Sequence, residues 1–179
     1  MRARVENLLA QIGEQKRPPL HLWQPPLSGD IDIEIRRDGS WWHEGGQIAR
    51  IELVRLFASI LCREGDDYFL VTPVEKWRLR VADAPFVAVA LEVVGEGADR
   101  LLVFDSNVGE RVACDAEHPL RVATRDGGEP APYLLLRDGL WALLSRSVFY
   151  ELVELAEARD DELIVHSRGA AFSLGRIDE

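Results

Sequence analysis

Cysteine is scarce in this chain, with two residues, Cys62 and Cys114, among 179. They form no C-x-x-C pair, and a disulfide framework needs more cysteines and an oxidising compartment. Cys62 lies in an apolar stretch with helical spacing, and Cys114 ends a stretch suited to a strand. The sequence therefore predicts two buried, reduced thiols.

Long apolar runs are missing as well. The longest, such as residues 84–91, fall far short of the roughly 20 residues that a membrane-spanning helix needs. The first residues, Met1 to Glu6, show no apolar core of the kind that a signal peptide carries. We therefore expect a cytoplasmic protein with no membrane partner.

Positive charge is in deficit, because 21 Lys and Arg residues stand against 31 Asp and Glu residues, for a net charge of −10. Nucleic-acid binding depends on neutralising phosphates with dense basic patches. The balance therefore excludes bulk nucleic acid as a partner. A small anionic ligand remains open, since a few arginines suffice to hold one.

Familiar catalytic and metal-binding motifs are also lacking. The sequence has no G-x-S-x-G elbow and no phosphate-binding loop. Its histidines, at positions 21, 43, 118 and 166, are scattered and form neither H-x-x-x-H nor H-E-x-x-H. Cys114 and His118 have a plausible ligand spacing, but two ligands do not make a metal site. The motifs thus assign no catalytic residue, no metal and no cofactor, and the sequence favours a protein without enzyme activity.

The most informative feature that is present is an internal repeat, the RDGxW repeat, at Arg37–Trp41 and again at Arg137–Trp141. Each copy follows a run suited to a strand and precedes a run with helical spacing. The Asp-Gly pairs are typical of hairpin turns, and we expect Trp41 and Trp141 to anchor the core. The sequence therefore predicts a duplicated strand–turn–strand–helix unit.

Periodicity predicts an α+β fold with antiparallel sheets, in which a central meander bends toward a partly closed barrel. Helices are expected over residues 3–14, from Ile48 to a break at Gly65, and after a cap at Ser145 or Ser147. We expect the acidic pair Asp160-Asp161 to end this last helix. The predicted organisation is a helical and extended leader (1–27), an N-terminal α+β domain (28–75) and a C-terminal β-rich domain with one helix (76–179).

Seven polar residues are candidates for ligand binding. Asp30 and Asp32 share one strand face, where they could hold a cation or share a proton, or form a solvated face. The arginines of the RDGxW repeat could bind an anion or sit beside a turn. A polar cluster follows the first unit, where it could contact a ligand or form a hydrogen-bond network. The full set is Asp30, Asp32, Arg37, Thr72, Glu75, Lys76 and Arg137.

Short segments along most of the chain carry a family resemblance. They are Gly29-Asp30-Ile31-Asp32, Val71-Thr72-Pro73-Val74-Glu75-Lys76, Asp83-Ala84-Pro85-Phe86-Val87-Ala88, Ser106-Asn107-Val108-Gly109, His118-Pro119-Leu120-Arg121-Val122 and Ala131-Pro132-Tyr133. Together they resemble the bacterial domain-of-unknown-function family 1285. The resemblance implies a two-part α+β fold with repeated motifs, whose C-terminal part looks like a pleckstrin-homology barrel. It also implies a nucleotide-like ligand between the two parts and a role in signalling.

Three functions follow as hypotheses. The first is a small-ligand-binding or signalling module with its site between the two domains. The second is a protein–protein adaptor that binds a peptide at a sheet edge or helix groove. The third is a weak hydrolase that uses Asp30, Asp32 and His43.

Overall fold

The computed structural model describes residues 17–177, so the helix expected over residues 3–14 lies outside the described residues. Within this range the chain is mostly β, with two α-helices, and no helix is long and apolar enough to cross a membrane. The chain divides into two units. The N-terminal unit comprises the described residues up to Phe86 together with Asp138–Leu140, and the C-terminal unit comprises Val87–Arg137 and the chain from Trp141 onward.

The N-terminal unit is built on one mixed six-stranded sheet with the strand order β3-β2-β1-β6-β5-β4. Strand β1 pairs antiparallel with β2 and parallel with β6. The elements are a 3-10 turn (Leu20–Leu22), β1 (Gly29–Ile35), β2 (Trp41–His43), β3 (Gly46–Gln47), α1 (Ile51–Ser59), β4 (Leu61–Glu64), β5 (Asp67–Val71) and β6 (Lys76–Val81).

The core of this unit lies on one face of the sheet. Ile33 and Ile35 alternate with charged residues along β1 and are buried, as the period of two predicts. Helix α1 buries Val54, and its Phe57 ring stacks on Trp41 with 6.1 Å between ring centroids. The charged residues of β1 and β6 lie on the opposite face of the sheet, together with Phe69 and Val71 of β5, which are buried.

Helix α1 is shorter than expected. The apolar spacing predicted a helix that runs to Gly65, whereas α1 ends at Ser59 and the next residues form β4. Leu61 is fully buried and pairs with Leu70 of β5. A short apolar run fits either period, so the pairing with β5 decides its structure.

The C-terminal unit contains a curled, half-barrel sheet with the order β10-β11-β12-β7-β8-β9 and a three-stranded sheet with the order β13-β14-β15. Most of these strands match the predicted meander. The elements are β7 (Phe86–Val94), a 3-10 turn (Gly97–Asp99), β8 (Leu101–Ser106), β9 (Arg111–Ala113), β10 (Leu120–Thr124), β11 (Pro130–Arg137), β12 (Leu140–Leu144), α2 (Arg146–Glu154), β13 (Glu157–Arg159), β14 (Glu162–Ser167) and β15 (Ala170–Arg176).

A buried serine links the two sheets of the C-terminal unit. The Ser167 hydroxyl of β14 accepts a hydrogen bond from the Leu102 amide of β8 at 2.9 Å and donates one to the Cys114 carbonyl at 2.6 Å. Nearby, Arg168 donates to the Asp115 carboxylate at 2.9 Å. Because a buried hydroxyl is costly unless it is hydrogen-bonded, these bonds determine where β14 can lie against β8.

The second copy of the RDGxW repeat forms a two-residue hairpin turn. Strand β11 ends at Arg137 and β12 begins at Leu140. Asp138 and Gly139 between them both have positive φ, 45° and 75°. This is the backbone that a type I′ turn requires and that Asp-Gly favours, as predicted.

The first copy forms a longer loop from nearly the same residues. Here Gly39 has a φ of 83° but Asp38 does not have positive φ. The Arg36 amide donates to the Ser40 carbonyl at 2.9 Å, so three residues make the loop. Asp38 instead uses its carboxylate to accept from the Ser40 amide at 2.9 Å.

The difference in loop length changes which face each tryptophan takes. A loop longer by one residue shifts the return strand, and adjacent strand residues point to opposite faces. Trp41 is accordingly 1% exposed, whereas Trp141 is half-buried and Leu140 is fully buried. The expectation that Trp141 anchors the core is therefore wrong, because Leu140 takes the buried position.

The two copies nevertheless share an order of elements. Each hairpin is followed by a nine-residue helix and then by a three-strand meander, β4-β5-β6 or β13-β14-β15. The acidic pair Asp160-Asp161, expected to end the second helix, instead forms the turn between β13 and β14, with φ of 49° and 65°. The repeated object is therefore a hairpin, a helix and a meander.

Ser145 caps helix α2, since its hydroxyl accepts a hydrogen bond from the Val148 amide at 3.3 Å. We expect Ser145→Ala to lower the free energy of unfolding by about 1 kcal/mol, because a first-turn amide loses its acceptor. Ser147→Ala is the matched control, and its effect should stay within about 0.5 kcal/mol. Urea titrations of both variants test this, and equal effects would contradict the assignment of the cap.

Candidate functional site

The two predicted carboxylates on β1 are each bound by an arginine of β6. Arg78 donates through Nε to Asp30 at 2.7 Å, and Arg80 donates through Nη2 to Asp32 at 2.7 Å. Arg78 also lies 3.8 Å from the Asp67 carboxylate. The acids therefore do not share a proton, because each has its own cationic partner.

These ion pairs lie where the pairing of β1 with β6 is irregular. Asp30 is the partner of Arg78 and Glu34 is the partner of Arg80, so β1 advances four residues while β6 advances two. The extra residues of β1 bulge out of the parallel ladder. Bulges of this kind redirect side chains and are frequent beside active sites.

An open hollow of about 420 Å³ lies at this irregularity. We call it the β1–β6 hollow. Its size falls in the range of pockets that hold small molecules. It is lined by Asp30, Ile31, Asp66, Asp67, Tyr68, Arg78, Leu79, Arg80 and Val81.

The hollow presents both signs of charge in solvent. The side chains of Arg78 and Arg80 are 42% and 62% exposed, and those of Asp30 and Asp32 are exposed as well. The hydrogen bond from Arg80 lowers the pKa of Asp32, and desolvation acts in the opposite direction. The hydrogen bond to Asp30 raises the pKa of Arg78, and the hydrogen bond to Asp32 raises the pKa of Arg80.

The predicted cluster at Thr72, Glu75 and Lys76 forms the turn between β5 and β6. The Thr72 hydroxyl accepts from the Glu75 amide at 3.0 Å, which is a local turn-stabilising contact. The Lys76 ammonium donates to both oxygens of Glu64 at 2.7 Å and lies over the Phe69 ring. These side chains are engaged within the turn and the neighbouring strand, and none of them lines the hollow.

One end of this cluster nevertheless lies close to the start of β1. The Ser28 amide donates to the Lys76 carbonyl at 2.8 Å, and the Lys76 amide donates to the Ser28 hydroxyl at 3.0 Å. Asp30 is two residues further along the same strand. The structure thus places Lys76 near the hollow through backbone pairing.

The two repeat arginines have different surroundings. Arg37 is exposed and lies 3.7 Å from the Asp83 carboxylate. Arg137 is 8% exposed and donates to Glu110 through Nη2 at 2.8 Å and through Nε at 3.2 Å. Arg37 belongs to the N-terminal unit and Arg137 to the C-terminal unit.

Sequence reasoning missed the arginines of the hollow. Residues 76–81 place basic side chains at every second position, Lys76, Arg78 and Arg80, on one face of β6. The acids of β1 alternate in the same way. Two strands with complementary charge at period two favour adjacent pairing, and that signal could have pointed to this face.

Neither metal nor histidine chemistry is assembled at the hollow. Among residues 17–177 no three His, Cys, Asp or Glu side chains are grouped so that they could hold a metal ion. The ring of His43 is hydrogen-bonded through Nδ1 to the Asp32 carbonyl, not to its carboxylate. The exposed arginines and carboxylates of the hollow can engage charged and hydrogen-bonding groups.

The fold and the hollow together define a mostly β, two-part protein whose parts follow a shared order of elements. The family model of the DUF1285 N-terminal domain, a domain of unknown function, matches residues 18–84, and that of the DUF1285 C-terminal domain, from a protein of unknown function, matches residues 85–174. The chain belongs to the DUF1285 family.

Two solved structures of this family are similar to the chain. A DUF1285 family protein from Silicibacter pomeroyi DSS-3 is 46% identical, covers 95% of both chains and superimposes with a TM-score of 0.86. A DUF1285 family protein from Shewanella baltica OS155 is 32% identical over 69% of this chain and 91% of its own, with a TM-score of 0.55. No functionally curated protein matches the chain.

Arg137 is buried against Glu110, whose side chain is 14% exposed. We expect Arg137→Met to destabilise the protein by about 3 kcal/mol, because Glu110 then loses the ion pair with Arg137. The repeat supplies the control, since Arg37→Met removes an exposed ion pair and should cost less than about 1 kcal/mol. Urea titrations compare the two. Adding Glu110→Gln to Arg137→Met should recover part of the loss, and equal effects of the two single variants would refute this prediction.

Both cysteines are free thiols, with Cys114 buried and Cys62 half-buried. Burial, followed by the charge of Asp115, raises the pKa of Cys114 to about 12, and burial also raises the pKa of Cys62. Since the thiolate is the reactive form, Cys114 should resist iodoacetamide at pH 8 until the protein is unfolded in urea. Peptide mass mapping tests this, and rapid modification of the folded protein at Cys114 would contradict it.

Proposed function

We propose that this chain binds a small, nucleotide-like ligand at the β1–β6 hollow and acts as a ligand-binding or signalling module rather than as an enzyme. The observation that carries the proposal is the hollow itself. It combines two arginines, several carboxylates and the ring of Tyr68 around about 420 Å³.

The hollow is lined by cationic, anionic and aromatic side chains, which supports a ligand that carries a partner group for each kind. Arginine side chains bind phosphate or carboxylate groups bidentately. The carboxylates of Asp30, Asp66 and Asp67 accept hydrogen bonds from amino groups, and a half-buried tyrosine offers a flat apolar surface. A nucleotide carries an anionic group, amino donors and a flat ring, so it engages all three kinds of side chain.

The ion pairs at the hollow can be exchanged at little cost. Pairs between exposed side chains contribute roughly 0 to 1 kcal/mol to stability. A ligand phosphate that approaches Arg80 competes with Asp32 for the guanidinium, and the displaced carboxylate is free to turn into water. The pairs thus hold the arginines in position without blocking a stronger anionic partner.

Two finer features belong to the same proposal. We propose that the C-terminal unit is pleckstrin-homology-like, which is supported by its curled six-stranded sheet followed by helix α2. A strand-by-strand superposition on pleckstrin-homology domains tests this. We also place the protein in the cytoplasm, where microscopy of a tagged chain should find it.

A protein–protein adaptor is the alternative. The observation in its favour is apolar surface on helix α1, where Leu56 is 58% exposed and Ile51 is 39% exposed. Exposed apolar groups of this kind suit a peptide or partner helix. A reproducible partner lost on Leu56→Ser, with no small ligand bound, would favour the adaptor.

A weak hydrolase is the least supported function. Its candidate acids, Asp30 and Asp32, are each held by an arginine and exposed to solvent. A general acid needs a raised pKa, whereas the pKa of Asp32 is lowered by its hydrogen bond with Arg80. The arrangement favours binding over proton transfer.

Ligand-detected NMR with a panel of nucleoside mono- and diphosphates tests the proposed function. We expect at least one nucleotide to bind and the Arg80→Gln variant to weaken it by about tenfold or more, because a charge-assisted hydrogen bond is lost. Arg78→Gln should weaken binding in the same direction.

Arg36→Gln is the matched control, since Arg36 lies over the Trp42 ring and does not line the hollow. The Arg36→Gln variant should bind the nucleotide with the same affinity as the unaltered protein. Absence of binding by every nucleotide, or equal affinity in the Arg80→Gln and Arg36→Gln variants, would overturn the proposal.

A further inference from the structure

Among residues 17–177, Arg100 has no acidic partner, unlike three other arginines of the C-terminal unit. Arg111 pairs with Glu92, Arg137 with Glu110 and Arg168 with Asp115. Within the described part of the chain, the only side-chain hydrogen bond of Arg100 is the one from Nη1 to the Leu155 carbonyl, at 3.3 Å.

This arginine lines a pocket of about 290 Å³ that is separate from the β1–β6 hollow. The pocket lies where the 3-10 turn before β8 meets β13 and β14. We call it the Arg100 pocket. It is lined by Gly97, Ala98, Arg100, Glu157, His166, Ser167 and Gly169.

Two glycines line the pocket, and the space beside each of them is open. A Cβ atom added to Gly97 or to Gly169 would meet no other atom within 4 Å, so both glycines border empty space. Their φ angles of 56° and 77° are in the left-handed region, which glycine adopts without strain. Any other residue at these two positions would have a strained backbone.

Arg100, Glu157 and His166 line this space, and within the described part of the chain no hydrogen bond or ion pair joins their side chains. Glu157 forms no ion pair, and the His166 ring forms no hydrogen bond, with any residue from 17 to 177. The pocket therefore offers a guanidinium, a carboxylate and an imidazole at once. Ser167 contributes no free hydroxyl, because its Oγ is used by Leu102 and Cys114.

We propose that the Arg100 pocket binds a small zwitterion of the amino-acid type. Arg100 would hold the ligand carboxylate through the donors that Leu155 does not use, and Glu157 would accept from the ligand ammonium. The His166 ring would face the ligand side chain. The volume matches a molecule of this size better than it matches a nucleotide.

The opposite charges in one small space distinguish this ligand class from simpler ones. An anion without an amine would bind Arg100 but would face the like charge of Glu157. An amine without a carboxylate would bind Glu157 but would face the like charge of Arg100. Only a ligand with both groups pairs with both side chains, so each group should add to the affinity.

Saturation-transfer NMR with each of the twenty L-amino acids as probe tests the proposal. We expect at least one to bind. Arg100→Gln should weaken its binding by about tenfold or more, since the guanidinium supplies charge-assisted hydrogen bonds. Glu157→Gln should weaken it several-fold, because the ammonium then faces a neutral amide.

Two alanines of similar exposure provide a matched pair of blocking variants. Ala98 lines the pocket and Ala158, next to Glu157 on β13, does not. Ala98→Phe should abolish binding by filling the pocket while leaving Arg100 in place, and Ala158→Phe should leave binding unchanged. None of these residues belongs to the N-terminal unit, so the result is independent of nucleotide binding at the hollow.

The charge requirement is tested with two analogues of the amino acid that binds best, one without its amine and one without its carboxylate. Both should bind more weakly than the amino acid. The proposal is overturned if no amino acid binds, if Ala98→Phe leaves binding intact, or if the analogue without the amine binds as tightly as the amino acid.

Discussion

The parallel pairing of β1 with β6 is the constraint on which the N-terminal unit depends. It joins the hairpin of the first repeat copy to the β4-β5-β6 meander in one sheet. One face then buries Ile33 and Ile35, and the other aligns acids of β1 with arginines of β6. The irregularity within this same pairing opens the hollow. The core, the charged face and the candidate site therefore all depend on the pairing of β1 with β6.

The RDGxW repeat shows how little of a turn is determined by its own residues. Asp-Gly adopts the two-residue turn in the second copy and takes part in a three-residue loop in the first. The flanking strands determine the loop length. In the first copy Ile35 pairs with Trp41, and in the second Leu140 takes the buried position. A tryptophan at the same motif position thus anchors one core and lies half-exposed beside the other.

Local pattern predicted most strands, the helix capped at Ser145 and the two-part organisation, because alternation and capping act over a few residues. It failed where strand pairing decides between two periods, because residues 61–64 pair with β5 instead of extending helix α1. The candidate site was predicted in part. Asp30 was identified, but Arg78 and Arg80 were not, since their importance arises from a strand 48 residues away. Arg137 was a candidate ligand contact, and its burial beside Glu110 is a tertiary property that the local sequence does not show.

That separation of 48 residues also bears on the order in which the molecule folds. The hairpins β1–β2 and β4–β5 close over short loops, whereas β1 must wait for a strand that follows both hairpins and α1. Contacts distant in sequence form slowly, because loop closure must precede any gain from them. We expect the β1–β6 ladder to form late, so a chain that has collapsed around Trp41 and α1 still lacks the β1–β6 hollow.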